Sequence, residues 1–176
     1  STAHDDYIHS RGDGSYTIAD YDNNNTASQR TDSLTFTDVA STEVTIESDG
    51  NDAVIRLDNG EVVRISNQFF MTFGSDTRTY NSVESIAFSD GVNYDITELA
   101  TRAVNDEKAS GQVSGTYVSE DYTHSRGDGS YTIADYDDYN TASQRTDSLT
   151  FTDVASTEVT IESAANDAVI RLDNGE

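Results

Sequence analysis

The chain has no cysteine and a single lysine, Lys108, and none of its apolar runs is longer than a few residues. Without cysteine there are no disulfides and no thiolate metal sites, and cysteine usage gives no reading of the redox compartment. Ten basic residues stand against 33 acidic ones, for a formal charge of -23. Phosphate binding needs clustered lysine and arginine, so DNA and RNA are set aside as partners. The short apolar runs exclude a transmembrane helix, and Ser1 opens no signal peptide. Large apolar residues are scarce as well. Leu, Ile, Val and Phe make up 34 of the 176 residues, which is the edge at which strongly charged chains stop folding unaided. Self-repulsion on this scale opposes compaction unless cations are bound.

What the chain does have is repetition. Residues 6–61 return as residues 121–176, an offset of 115, and differ only at Ile8/Thr123, Asn23/Asp138, Asn24/Tyr139, Asp49/Ala164 and Gly50/Ala165. Residues 1–115 therefore read as one complete unit, and residues 116–176 as a partial second unit near-identical to 1–61. The second copy reaches Asn174-Gly175-Glu176, where the first continues into Val62-Val63-Arg64-Ile65. An apolar strand without its partner loses ladder hydrogen bonds and buried area. The expectation is an open end that continues into, or docks against, another copy of residues 62–120, so that copies join head to tail along a fibre or array.

Period-two alternation marks short strands at residues 14–18, 33–37 and 43–47, with Tyr16, Ile18, Leu34, Phe36, Val44 and Ile46 inward. Residues 54–57 and 62–65 are near-continuous apolar runs joined by Asp58-Asn59-Gly60-Glu61, a strong hairpin signal. They should be the best buried strands. Residues 68–73 read as a packed loop, 83–88 as a sixth strand, and 97–108 as the one helix, capped by Thr97 with Leu99, Ala103 and Val104 on its apolar stripe. The predicted core also contains Ile55 and Leu57, and it repeats in the second copy as Tyr131, Ile133, Leu149, Phe151, Val159, Ile161, Ile170 and Leu172. The fold class expected is all-β: tandem modules of short strands, β-roll-like or β-solenoid-like, with one short helix per unit. β-Sandwich modules are the alternative.

Acid follows these strands at regular spacing. Turns dense in Asp, Asn and Gly deliver the six to eight oxygens that calcium takes. The candidate ligands are Asp13, Asp20, Asp22, Asp49, Asn51, Asp52, Asp58, Asn59 and Asp90, with Asp128, Asp135, Asp137, Asp138, Asn166, Asp167 and Asp173 in the second copy. The same residues also fill turns for backbone reasons alone. An EF-hand at Asp20-x-Asp22-x-Asn24 is excluded by Asn25, where glycine is needed, and by Thr31, where a bidentate Glu belongs.

The order of motifs resembles the haemolysin-type calcium-binding related repeats of RTX-like secreted bacterial proteins. The motifs are Gly-Asp-Gly-Ser-Tyr-Thr-Ile at 12–18 with Asp20-Tyr21-Asp22, Asp32-Ser33-Leu34-Thr35-Phe36-Thr37-Asp38-Val39, Asn59-Gly60-Glu61, and Ile86-Ala87-Phe88-Ser89-Asp90-Gly91. The resemblance implies an extracellular or cell-surface protein exported by type I secretion, with calcium organising its β-structure. The nonapeptide of a true RTX roll is matched only in part, at Gly50-Asn51-Asp52-Ala53-Val54. Isolated calcium sites at turns are therefore expected in place of a continuous ladder of ions.

The function expected is a calcium-binding structural repeat of a filament or giant surface adhesin. The alternative is an adhesion module holding a cell-surface or glycan ligand, with avidity from repetition. Duplication of so much surface argues against a unique active site, and no nucleophile motif is present. Arg11-Gly12-Asp13 and its repeat read as turns, and His9 and His124 as exposed turn histidines.

Overall fold

The computed structural model describes residues 4–21, 32–70, 82–116, 118–135 and 147–176. Within them the chain is strand-rich, with one α-helix. The first unit forms β1 (Asp6–His9), β2 (Tyr16–Ile18), β3 (Ser33–Phe36), β4 (Val44–Asp49), β5 (Asp52–Leu57), β6 (Val62–Ile65), β7 (Ser85–Ala87), β8 (Asn93–Tyr94) and helix α1 (Ile96–Asp106). β9 (Gln112–Ser114) leads into the second copy, which forms β10 (Asp121–His124), β11 (Thr132–Ala134), β12 (Ser148–Phe151), β13 (Val159–Ala164) and β14 (Asp167–Leu172).

The strands of the first unit fall into two four-stranded sheets, ordered β1-β3-β7-β8 and β2-β6-β5-β4. β1, β3 and β7 run parallel and in register, with Tyr7 opposite Leu34 and Leu34 opposite Ile86. β2 runs parallel to β6, whereas β4, β5 and β6 form the antiparallel meander that the Asn-Gly turn demands. Parallel neighbours need long connections. Here each connection is a passage through the other sheet: the chain leaves β1, lays down β2, and returns beside β1 as β3. Inward residues from both sheets meet in one core, where Leu34, Phe36, Val44, Ile46, Ile55, Leu57, Val63 and Ile65 are all buried. The Phe36 and Phe88 rings stack at 5.1 Å. The sixth strand is shorter than expected, 85–87, but Val83, Ile86 and Phe88 are buried as its alternation requires.

Helix α1 seals the edge of β4. Leu99, Ala100, Ala103 and Val104 are buried, and Asp106 accepts the Ile46 N–H at 3.0 Å while Arg102 donates to the Val44 carbonyl at 3.2 Å. Glu107 adds the Ser48 N–H at 2.6 Å, so side chains occupy main-chain groups that would otherwise offer an open edge. The helix is capped by Asp95, not Thr97. Asp95 accepts the Glu98 N–H and Glu98 accepts the Asp95 N–H, a reciprocal box that starts the helix one residue earlier.

Two further expectations are corrected. His9 and His124 are buried in β1 and β10, because register with β3 and β12 sets each imidazole edge-on against Phe36 or Phe151. The buried set is not common to both copies. β10 pairs with β12 and β13 with β14 in the registers of the first copy, yet Leu149 is 37% and Ile161 70% exposed, where Leu34 and Ile46 are 0%. The first copy is covered by β6, β7 and α1, and the described residues of 121–176 contain no counterpart of these elements. Residues 71–73 of the packed loop lie outside the described residues, although Phe69 is buried as expected.

Candidate metal centre

Parallel register stacks the residue before each strand as firmly as the residues within it. Asp5, Asp32 and Glu84 precede β1, β3 and β7, so they form a short ladder of acids at one end of the sheet. The Asp5 N–H donates to Asp32 Oδ1 at 2.6 Å, and the Asp32 N–H donates to Glu84 Oε2 at 2.8 Å. Asp20, just past β2, is brought from the other sheet against Asp32 and Tyr7. The arrangement recurs in the second copy. Glu120 and Asp147 precede β10 and β12, the Glu120 N–H donates to Asp147 Oδ1 at 3.0 Å, and Asp135 follows β11.

In this second cluster one carboxylate oxygen from each of Glu120, Asp135 and Asp147 lies within 4.8 Å of the others. Glu120 is 1% exposed. Its Oε1 accepts the Thr116 N–H at 2.7 Å and also the Thr116 hydroxyl, whereas its Oε2 is buried and has no hydrogen-bond donor. Asp32 Oδ2 is orphaned in the same way in the first cluster. A Cβ at Gly115 would come within 2.3 Å of Asp135 Oδ1 and 2.7 Å of the Tyr122 hydroxyl, so a side chain there would have to displace the cluster.

Burying carboxylates side by side disfavours their charged forms. Burial, reinforced by Asp135 and Asp147 and opposed by the Thr116 bonds, pushes the Glu120 carboxyl up to about 8. Burial and the neighbouring Asp20 raise Asp32 to about 6, and Glu84 moves in the same direction. Tyr7 is raised to about 12 by burial and by the charges of Asp20, Asp5 and Asp32. Such groups either keep their protons or share a cation. The donors are all oxygen, namely carboxylates beside a phenol and a threonine hydroxyl, and buried carboxylate oxygens among them have no hydrogen-bond donor. That set fits a hard divalent cation such as calcium.

Of the residues expected to bind metal, the structure brings Asp20 and Asp135 into these clusters. The other described ones stand elsewhere. Asp49 and Asp52 hold Arg64 at 2.7 and 2.8 Å, Asp58 and Asp173 hold Arg11 and Arg126, and Asp128 holds Lys108 at 2.7 Å. Asp13 accepts the Ser10 N–H, Asn59 closes its turn onto Glu61, and Asp90 accepts the Ser41 N–H and hydroxyl. The Asn51 carbonyl accepts the Phe69 N–H, while Asn166 and Asp167 lie exposed where β13 turns into β14. Asp22, Asp137 and Asp138 lie outside the described residues. Sequence reasoning overlooked Asp5, Asp32, Glu84, Glu120 and Asp147. The available signal was an acid immediately before each of five strands.

Residues 52–98, from β5 into the first turn of α1, match the haemolysin-type calcium binding protein related domain family. The match shows the relation to RTX-like calcium-binding proteins over that stretch and supports a calcium-binding role. It takes in Glu84 of the first ladder. No curated protein matches the chain. Among the described residues, no helix is long and apolar enough to cross a membrane.

Proposed function

We propose that this chain is a calcium-stiffened structural repeat of an extracellular bacterial filament or surface adhesin, exported by type I secretion, whose work is mechanical and not catalytic. The observation that carries the reading is the buried Glu120, whose Oε2 has no donor, in a cluster where one carboxylate oxygen from each of Glu120, Asp135 and Asp147 lies within 4.8 Å of the others. Asp5, Asp20 and Asp32 stand at the corresponding positions one repeat earlier. Glu120, Asp135 and Asp147 would hold one ion and the first set another, each ion joining the ends of strands from both sheets. A cation there removes the repulsion that a thin core and a charge of -23 otherwise leave unopposed. The tandem units then stack as a solenoid-like rod, with copies joined head to tail. Folding would wait for the calcium encountered after export.

Metal bound by the folded state alone adds its binding free energy to folding. At free calcium about 100 times Kd, the gain is about 2.7 kcal/mol. Thermal unfolding followed by circular dichroism in EGTA and in millimolar calcium tests this, with calorimetry for uptake. A higher Tm in calcium, lost in part on Glu120→Gln, is expected. An unchanged Tm with no heat of binding would sink the reading.

A further inference from the structure

The two copies of one strand use opposite edges. In β2 the Ile18 carbonyl accepts from Ser66, and Ile18 pairs with Ile65 of β6. In β11, which falls one residue later in the same repeated stretch, the Thr132 N–H donates to the Gly111 carbonyl at 3.1 Å and the Ala134 carbonyl accepts the Gly115 N–H at 3.0 Å, pairing it in parallel with β9. Thr132 and Ala134 correspond to Thr17 and Ala19. Main-chain groups of successive strand residues point to opposite sides, so a strand of this sequence can carry a β6-type partner on one edge and a β9-type partner on the other. Among the described residues, β2 is the end strand of its sheet, and the Thr17/Ala19 edge is the outer one.

We propose that this edge, together with the outer edge of β1, is the docking surface for residues 96–116 of another copy of the repeat. The segment equivalent to β9 would add to β2 in parallel, with Gln112 opposite Thr17, Val113 opposite Ile18 and Ser114 opposite Ala19. Its Gly115-Thr116 would close over Asp5, Asp20 and Asp32.

The joint already formed inside the chain shows what such docking contributes. Helix α1 lies along the outer edge of β10. Asn105 accepts the Thr123 N–H and donates to the Asp121 carbonyl, both at 2.9 Å, Lys108 donates to the Thr123 carbonyl at 2.9 Å, and the Asp121 N–H donates to Thr101 at 3.1 Å. These four bonds go to main chain, so the same helix can make them to Asp6 and Ile8 whatever their side chains. Val104 and Val113 pack on Tyr122, Tyr131 and Ile133. Tyr7, Tyr16 and Ile18 hold the same positions in the first copy, where Ile18 is buried in the core and the two tyrosines are partly buried against it, while Ile8 is 65% exposed. The closing role of Gly115-Thr116 rests on the proposed calcium centre, whereas the strand and helix contacts do not.

Amide hydrogen exchange by NMR on the full chain, in calcium, tests the joint with a peptide of residues 96–116 as probe. Without peptide, the Thr123 and Thr132 amides should exchange slowly and those of Ile8 and Thr17 fast. Excess peptide should slow Ile8 and Thr17 by at least about tenfold, as expected of amides newly placed in a ladder. A peptide carrying Val113→Asp should not. No slowing at Ile8 and Thr17, or equal slowing by the altered peptide, would overturn the proposal. Calorimetric calcium uptake measured on the same samples separates the two readings: uptake without docking overturns the joint alone.

Discussion

Residues 6–61 and 121–176 are one sequence in two settings. Their β1–β3 and β4–β5 ladders recur in the same registers as β10–β12 and β13–β14, and Gly12 and Gly14 donate to Glu61 as Gly127 and Gly129 donate to Glu176. What differs is burial, and the partner that β2 and β11 take. Ladders and turns are written within the repeated stretch itself, so they form twice. Closure of the core depends on β6, β7 and the packing of α1 on β4, which have no counterpart among the described residues of 121–176, so Leu149 and Ile161 lie open where Leu34 and Ile46 are sealed.

The largest expected effect tests that contrast at a single aromatic. Phe36 is fully buried against His9 and Phe88, and its replacement by Ala should cost about 3 to 5 kcal/mol. Phe151 is half-buried and carries the same local sequence. There the change should cost well under half as much, since less apolar area returns to water. Urea unfolding of the two variants gives the ratio, and equal losses would mean that the second copy is closed in solution.

A smaller effect separates the two acidic clusters by pH. In the metal-free protein Glu120 titrates near 8 and Asp32 near 6, both above the ordinary carboxylate range because of burial. A carboxyl raised in the folded state binds its proton more tightly there than in the unfolded chain. Its stabilising contribution is therefore complete below the unfolded pKa and lost as pH rises through the folded value. For Asp32 the window runs from 3.8 to about 6, and for Glu120 from 4.5 to about 8. Stability of the metal-free chain should fall in two steps across these windows, and carboxyl-carbon NMR should assign the later step to Glu120. Glu120→Gln should remove that step and leave the Asp32 step in place. A single step shared by both clusters would show that they are equivalent despite their different cover.

Sequence patterning carried the inward faces of β2 to β6 and the hairpin at Asn59-Gly60, because alternation and turn chemistry are local. It missed β1, since Asp6-Tyr7-Ile8-His9 shows no apolar alternation and becomes a strand through register with β3. The metal centre was legible only in part for the same reason. Turn composition pointed to Asp20 and Asp135, which do reach the clusters. Their partners Asp32, Glu120 and Asp147 sit at strand starts, and what gathers them is parallel stacking over sequence separations of 27 residues and more. Many of the turn carboxylates singled out by spacing instead hold four of the chain's ten basic residues, Arg11, Arg64, Lys108 and Arg126.

The smallest expected effect lies at a position where the copies differ. The turn between β4 and β5 places Gly50 at φ 64, and the corresponding turn between β13 and β14 places Ala165 at φ 58. A left-handed conformation costs an L-residue with a Cβ about 1 kcal/mol relative to glycine, and open space around the Gly50 Cβ position leaves backbone strain as the whole difference. Ala165→Gly should therefore stabilise the chain by about 1 kcal/mol less the added entropy of the unfolded glycine. Gly50→Ala should destabilise it by a similar amount. Because β13 and β14 form a two-stranded sheet apart from the sealed core, the gain from Ala165→Gly should appear as slower amide exchange confined to residues 159–172. The loss from Gly50→Ala should spread through the first unit, whose sheets share one core. A uniform response to both substitutions would show that the two copies unfold as one body.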